Sequence, residues 1–292
     1  MKTVKNPWRD NGLPEQAGLA QGRVSEDADG AHALYGQCPK AAPTPLLNAS
    51  ALASGFGIAA LHIKDERGRM GLGSFKALGA AYAIAREASR KVAEGAAGSL
   101  ETALQGMTFA CASAGNHGLS LAAGAPLFGA QAAVFVSETV PEAFALRLRQ
   151  KGARVIRAGQ TYEDSMAEAQ RQARDFGWHL LPDSTWPGLT EPGRDVMEGY
   201  LIMGSEIAGQ LDEPPTHVFL QAGVGGLAAA CAVSARRTWG DRVTIVVVEP
   251  DRAPRASGQH RSRPAGHRAR PRFHHGPPRL QGALASGARL PG

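Results

Sequence analysis

Short apolar runs alternate with helical stretches along most of the chain. "AALHIKDE" (59–66), "MTFACA" (107–112), "AAVFVS" (132–137), "ARVIRAG" (153–159), "THVFLQAG" (216–223) and "RVTIVVVEP" (242–250) read as strands, with "WHLLPD" a shorter one. Helical spacing fills 74–95, 116–129, 141–151, 161–176, 193–210 and 226–238, although Pro126 strains the end of the second of these. Ser74 stands where an N-cap belongs, and Pro141 has a φ suited to opening a helix. Continuous apolar strands separated by helices predict an α/β fold, with parallel sheets covered by helices. Ligands of such sheets bind beyond the carboxyl ends of the strands, so the strand–helix junctions are where chemistry is expected.

Three junctions carry unusual residues. "GLGSFKALGA" (71–80) sets one ionisable side chain, Lys76, among glycine, alanine, leucine and phenylalanine. In the first turn of a helix, the positive dipole end and desolvation both disfavour an ammonium, which predicts an amine nucleophile fit for Schiff-base chemistry. A lysine on a helix surface is the bland alternative, and for a lysine taken at random the commoner one. "SAGNHG" (113–118) places Asn116, both donor and acceptor, at a helix start, where a capped tight turn would explain it equally. His117 has no second ligand at metal spacing. "QAGVGGLAAA" (221–230) opens a helix with Gly223, Val224, Gly225, Gly226 and Leu227. Free backbone N–H groups and the helix dipole make that loop an anion site, most simply for phosphate. Gly223 to Ala228 also fits a dinucleotide fingerprint, with Glu249 placed to bind a ribose. An NAD-binding protein is therefore a rival reading, but it leaves Lys76 and Asn116 unexplained. Pyridoxal 5'-phosphate accounts for all three junctions: its aldehyde needs a lysine, its ring hydroxyl a hydrogen-bonding group, and its phosphate a glycine loop at a helix start.

Composition adjusts this picture. The 292 residues, 43% of them apolar, suffice for a two-lobed enzyme. The formal charge of +6 misleads, because nine arginines and no acid follow Asp251; residues 1–251 hold 23 basic and 26 acidic groups, a balance of −3. Three widely spaced cysteines suit a reducing, cytoplasmic setting. No apolar run follows the basic N-terminal residues, so neither a signal peptide nor a membrane partner is expected.

With those residues in place, the chain resembles the fold-type II pyridoxal phosphate enzymes, which include the serine/threonine dehydratases and the tryptophan synthase β chain. "GSFKALGA", "SAGNHG" and "QAGVGGLAAA" in that order carry the resemblance. "NPWR", "PTPL", "PDSTWPG" and "VVVEPDRA" narrow it to the diaminopropionate ammonia-lyases, over about residues 6–253. The resemblance implies that Lys76 is the Schiff-base lysine and Phe75 packs beside the cofactor ring. It implies that Asn116 bonds the ring hydroxyl, residues 223–227 hold the phosphate, and Asp183 is an active-site carboxylate. The implied reaction releases ammonia from 2,3-diaminopropionate to give pyruvate; a serine/threonine dehydratase is the alternative. The implied partners are a small amino-acid substrate and a second copy in a homodimer, with no nucleic acid. Residues 1–254 are expected to form the catalytic region, with a small lobe at about 107–190 inserted in the larger one. One position departs from the ammonia-lyase pattern. Ala114 stands where those enzymes resemble "DGNHG", and an alanine cannot take a proton from a D-substrate.

Residues 255–292 change character, to an Arg-, Pro-, His- and Gly-rich tail without apolar period. A basic nucleic-acid arm, a linker and a frameshifted read-out all suit that composition. The frameshift is favoured, because shifted codons for His274-His275 and for Leu280 to Ala283 can restore family-like residues. It implies a truncated or aberrant C-terminal part, without the group that meets the cofactor's pyridine nitrogen, and weak or absent activity.

Overall fold

The computed structural model describes residues 3–6, 9, 24–186 and 188–250. The expectations for 255–292 lie outside them. In chain order the helices are α1 (Ala28–Tyr35), α2 (Ser50–Phe56), α3 (Ala80–Ala93), α4 (Asn116–Gly124), α5 (Glu142–Gln150), α6 (Tyr162–Phe176), α7 (Glu191–Gly199), α8 (Leu201–Gln210) and α9 (Gly226–Trp239). The strands are β1 (Leu46–Asn48), β2 (His62–Lys64), β3 (Thr108–Ala112), β4 (Gln131–Val136), β5 (Arg154–Arg157), β6 (His179–Leu180), β7 (His217–Gln221) and β8 (Thr244–Val248).

A four-stranded sheet runs β5-β4-β3-β6, parallel throughout, and β7 and β8 form a second parallel pair. Strand side chains alternate between faces, and here both faces are apolar. Phe109, Cys111, Val134 and Val136 enter the main core, which includes Leu119, Leu121 and Ala122 of α4. Ala110, Ala112, Ala133 and Phe135 point the other way, to Met166 and Ala169 of α6. This two-sided burial is why the sequence shows continuous apolar runs rather than alternation. Thr161 caps α6 in a reciprocal box with Asp164, a device typically contributing about 1 kcal/mol.

Three expectations change. The strand read at 59–66 narrows to β2, which pairs antiparallel with β1 outside the parallel sheets. The cause lies in Lys64, whose Nζ is drawn to Thr44 O at 2.8 Å and to Glu206 at 2.7 Å, a polar tether rather than a sheet core. The helix read from Ser74 begins instead as a 3-10 turn, Phe75–Leu78, and becomes α-helical only at Ala80. Gly79, at φ −82° and ψ −81°, interrupts it, and Ser74 makes no capping hydrogen bond. The helix read at 193–210 is two, broken at Tyr200.

Candidate active site

Lys76 sits in the middle of the 3-10 turn, between flanking elements that hold it from three sides. Beneath it, Ser120 of α4 donates to Ala77 O at 3.3 Å and accepts from Ala81 N at 3.1 Å. This ties the lysine segment to the helix that Asn116 opens. Ahead of it, Met70 and Gly71 take φ of 49° and 70°, so the chain reverses sharply before the lysine. Beside it, Phe75 meets the ring of Tyr200 edge-on at 5.2 Å.

The lysine reaches across the cleft. Its Nζ donates to Asp183 Oδ2 at 2.8 Å, and both side chains are largely buried, at 18% and 21% exposure. Asp183 follows β6, at the carboxyl end of a parallel strand, as ligand-binding groups of such sheets do. His117 steadies that loop: one ring nitrogen bonds Leu181 O at 2.8 Å. Burial pushes the His117 pKa down, which favours the neutral ring that donates from Nε2.

The electrostatics correct the expectation for Lys76. Burial does press toward the neutral amine, as the apolar neighbours suggested. Tyr200 and the Asp183 carboxylate outweigh it, and the lysine pKa rises above its ordinary value. The dipole argument fails because a four-residue 3-10 turn replaces the first turn of a helix. Asp183 shows the matching effect: burial opposes its charge, but the Lys76 ammonium beside it brings its pKa down to about 2. The resting site is therefore an ion pair.

Asn116 stands exposed at the first position of α4. Gly225 ends the third junction at φ 102°, a conformation that L side chains avoid, and delivers the backbone into α9. Val224 is half-buried and Leu227 lies in the core. Ala114 also packs against the core, so no ionisable group occupies that position. A cavity of about 630 Å³ lies elsewhere, lined by Phe109, Trp178, Trp186 and Asp195 among others, and contains none of these site residues.

Comparison with known proteins decides which chemistry this geometry serves. The model of the family described as "Pyridoxal-phosphate dependent enzyme" matches residues 38–289. The chain belongs to that family. Among curated relatives, the diaminopropionate ammonia-lyase of Salmonella typhimurium is 32% identical over 76% of this chain and 58% of its own length. That of Escherichia coli is 33% identical over 72% of this chain and 55% of its own. The Arabidopsis thaliana threonine dehydratase is 32% identical but matches only 48% of this chain. The chain thus spans little more than half the length of the ammonia-lyases it matches. The crystal structure of holo diaminopropionate ammonia lyase from Escherichia coli superposes with a TM-score of 0.74 at 29% identity, covering 81% of this chain and 63% of that one.

As a pyridoxal-phosphate dependent enzyme of fold-type II, the chain has residues that fit the cofactor. Four buried polar atoms without a hydrogen-bond partner stand on or beside the site residues: Ser74 Oγ, His117 Nδ1, Ser184 Oγ and Tyr200 Oη. Buried orphans of this kind are costly and mark places where a ligand is received. Added Cβ atoms at Gly71, Gly73 and Gly223 would meet nothing within 4 Å, so neither the lysine segment nor the glycine loop is closed off by other parts of the chain at these positions. The dinucleotide alternative yields to the family match. Sequence reasoning passed over Tyr200, whose only signal was a Gly-Tyr pair within an otherwise continuous helical pattern. Among the described residues, no helix is long and apolar enough to cross a membrane, and no cluster of potential metal ligands appears.

Proposed function

We propose that this chain releases ammonia from 2,3-diaminopropionate by α,β-elimination, giving pyruvate. The observation that carries the reading is the buried Lys76–Asp183 pair at 2.8 Å, set in the lysine segment of a family defined by pyridoxal phosphate. The similarity to diaminopropionate ammonia-lyases supports the choice of substrate. When bound, pyridoxal phosphate supplies an aldehyde for the substrate nitrogen and a ring that takes up the electron pair left by the α-proton.

The chain's own residues do the rest. The glycine loop 223–227 holds the phosphate with backbone N–H groups at the start of α9. Asn116 hydrogen-bonds the ring hydroxyl, and Phe75 packs beside the ring. With the cofactor bound, Lys76 would be the base that takes the substrate's α-proton. Asp183 keeps the lysine side chain aimed at the cleft. The β-amino group, taking up the proton that Lys76 removed, would leave as ammonia; water would then release the α-nitrogen as a second ammonia. Holding the reacting groups in place is worth about 7–11 kcal/mol of barrier when the geometry is right.

Purified chain incubated with pyridoxal phosphate and reduced with borohydride should carry the label on the Lys76 peptide, and should form pyruvate from L-diaminopropionate. Lys76→Ala should lose both. A label elsewhere, or a Lys76→Ala variant at full rate, would remove Lys76 from the mechanism. A serine/threonine dehydratase is the second reading, favoured by Ala114 at the position of the ammonia-lyase aspartate. It predicts a higher kcat/KM for L-serine or L-threonine than for L-diaminopropionate.

A further inference from the structure

We propose that Tyr200 is a binding residue for the phosphate ester of pyridoxal phosphate, donating its hydroxyl to a phosphate oxygen. The inference rests on the cofactor reading above and adds to it a residue outside the glycine loop.

Tyr200 occupies the break between α7 and α8. It is 2% exposed and its Oη is buried; the Lys76 ammonium acts on that oxygen as a donor, and the phenol O–H finds no acceptor. Three neighbours locate it. A Cβ built on Gly79 would lie 2.7 Å from Oη, so the hydroxyl abuts the N-cap of α3. A Cβ built on Gly226 would lie 3.6 Å from Cε2, so the same ring abuts the first residue of α9. Lys76 Nζ stands 5.8 Å from the ring centroid.

The N-terminal ends of two 14-residue helices therefore lie against one tyrosine, α3 at its hydroxyl and α9 at its ring, with an ammonium beside it. Helix N-termini offer donors and positive potential, and an ammonium does the same. The nearby carboxylate, Asp183, is engaged by Lys76 and makes no bond to Oη. A phenol O–H surrounded by donors suits an anionic oxygen as its acceptor.

The cofactor's chemistry selects which anion. Its aldehyde carbon and its phosphate-bearing carbon hang from adjacent ring atoms. A cofactor captured by Lys76 would therefore carry its phosphate within reach of that nitrogen, and the Tyr200 ring that Lys76 overlies touches Gly226, where the glycine loop enters α9.

The test compares wild type and Tyr200→Phe with two ligands, pyridoxal phosphate and pyridoxal. Binding is read as absorbance titration and as borohydride-trapped lysine, without turnover. A hydrogen bond to a charged group sets the expectation: Tyr200→Phe weakens pyridoxal phosphate binding about tenfold and leaves pyridoxal capture within about twofold. Equal losses for both ligands would mean that Tyr200 acts on Lys76 or on packing, and would overturn the proposal; so would no loss for either. Wild-type protein that binds no pyridoxal phosphate would overturn the cofactor reading, and this one with it.

A second measurement needs no mutation. The chain has four tyrosines, and 3-fluorotyrosine labelling reports each by ¹⁹F resonance. One buried resonance should shift with pyridoxal phosphate and with inorganic phosphate but not with pyridoxal. A resonance indifferent to both phosphates would also overturn the assignment.

Discussion

Lys76 was legible as the odd residue of its segment, but its resting charge was not. Local sequence carries the desolvation that favours a neutral amine; Asp183, 107 positions away, reverses it. The pair predicts its own titration. Replacing Asp183 by Asn removes the charge that holds Lys76 protonated, so the lysine pKa falls. The rate of pyridoxal phosphate capture by Lys76, followed against pH, should then reach half-maximum at lower pH than in wild type. An unchanged or higher midpoint would remove Asp183 as the cause of the raised pKa. Ala114 makes a second prediction at this scale. With no carboxylate there, turnover should be confined to L-diaminopropionate. Equal rates on the D-isomer, measured as pyruvate, would show another group taking that proton.

Elements hold the lysine segment through contacts no local pattern announces. Arg69 precedes the chain reversal before Lys76 and is fully buried. Its guanidinium bonds Glu206 of α8 at 2.7 Å through two nitrogens, Glu66 at 2.7 Å, Thr44 Oγ1 at 3.0 Å and the Tyr35 hydroxyl at 3.1 Å. Removing one partner from a buried ionic network typically costs about 3–5 kcal/mol, because the others keep their charge. Arg69→Met should lower urea stability by that order, and a loss under about 1 kcal/mol would mean that water relieves the stranded carboxylates. On the opposite side, Gly199 lets α7 touch the lysine segment. A Cβ there would stand 2.0 Å from Leu78 O and 2.8 Å from Tyr82 Cβ. Since the first obstacle is backbone, no rotamer change relieves it. Gly199→Ala should destabilise by about 1–3 kcal/mol and slow the capture of pyridoxal phosphate by Lys76; unaltered capture would show that the segment tolerates displacement. The helix periods at 74–95 and 193–210 were read correctly in kind, but not in continuity. Gly79 and Tyr200 break them for packing reasons that become visible only when the two helices meet.

At the scale of the molecule, large apolar side chains remain exposed on the two short sheets. Phe219 is 64% and Val248 48% exposed on β7 and β8, and Leu47 and Ile63 are 42% and 43% exposed on β1 and β2. Exposed apolar side chains can mark an interface. We expect the chain to self-associate, and sedimentation velocity across a concentration range should show species heavier than the 30.5 kDa chain. A monomer at every concentration would argue against it. The sequence by itself determined the parallel α/β architecture, because burial on both faces leaves apolar strands that no exposed sheet would have. It also singled out Lys76, Asn116 and the 223–227 loop, because each stands among small residues just before or at a helix start, where packing alone does not require it. Only the tertiary structure decided the state of the site. Ion pairing and orphaned hydroxyls depend on distances between segments remote in sequence. Asp183 reaches Lys76, and Tyr200 enters between α3 and α9, only once the helices are packed.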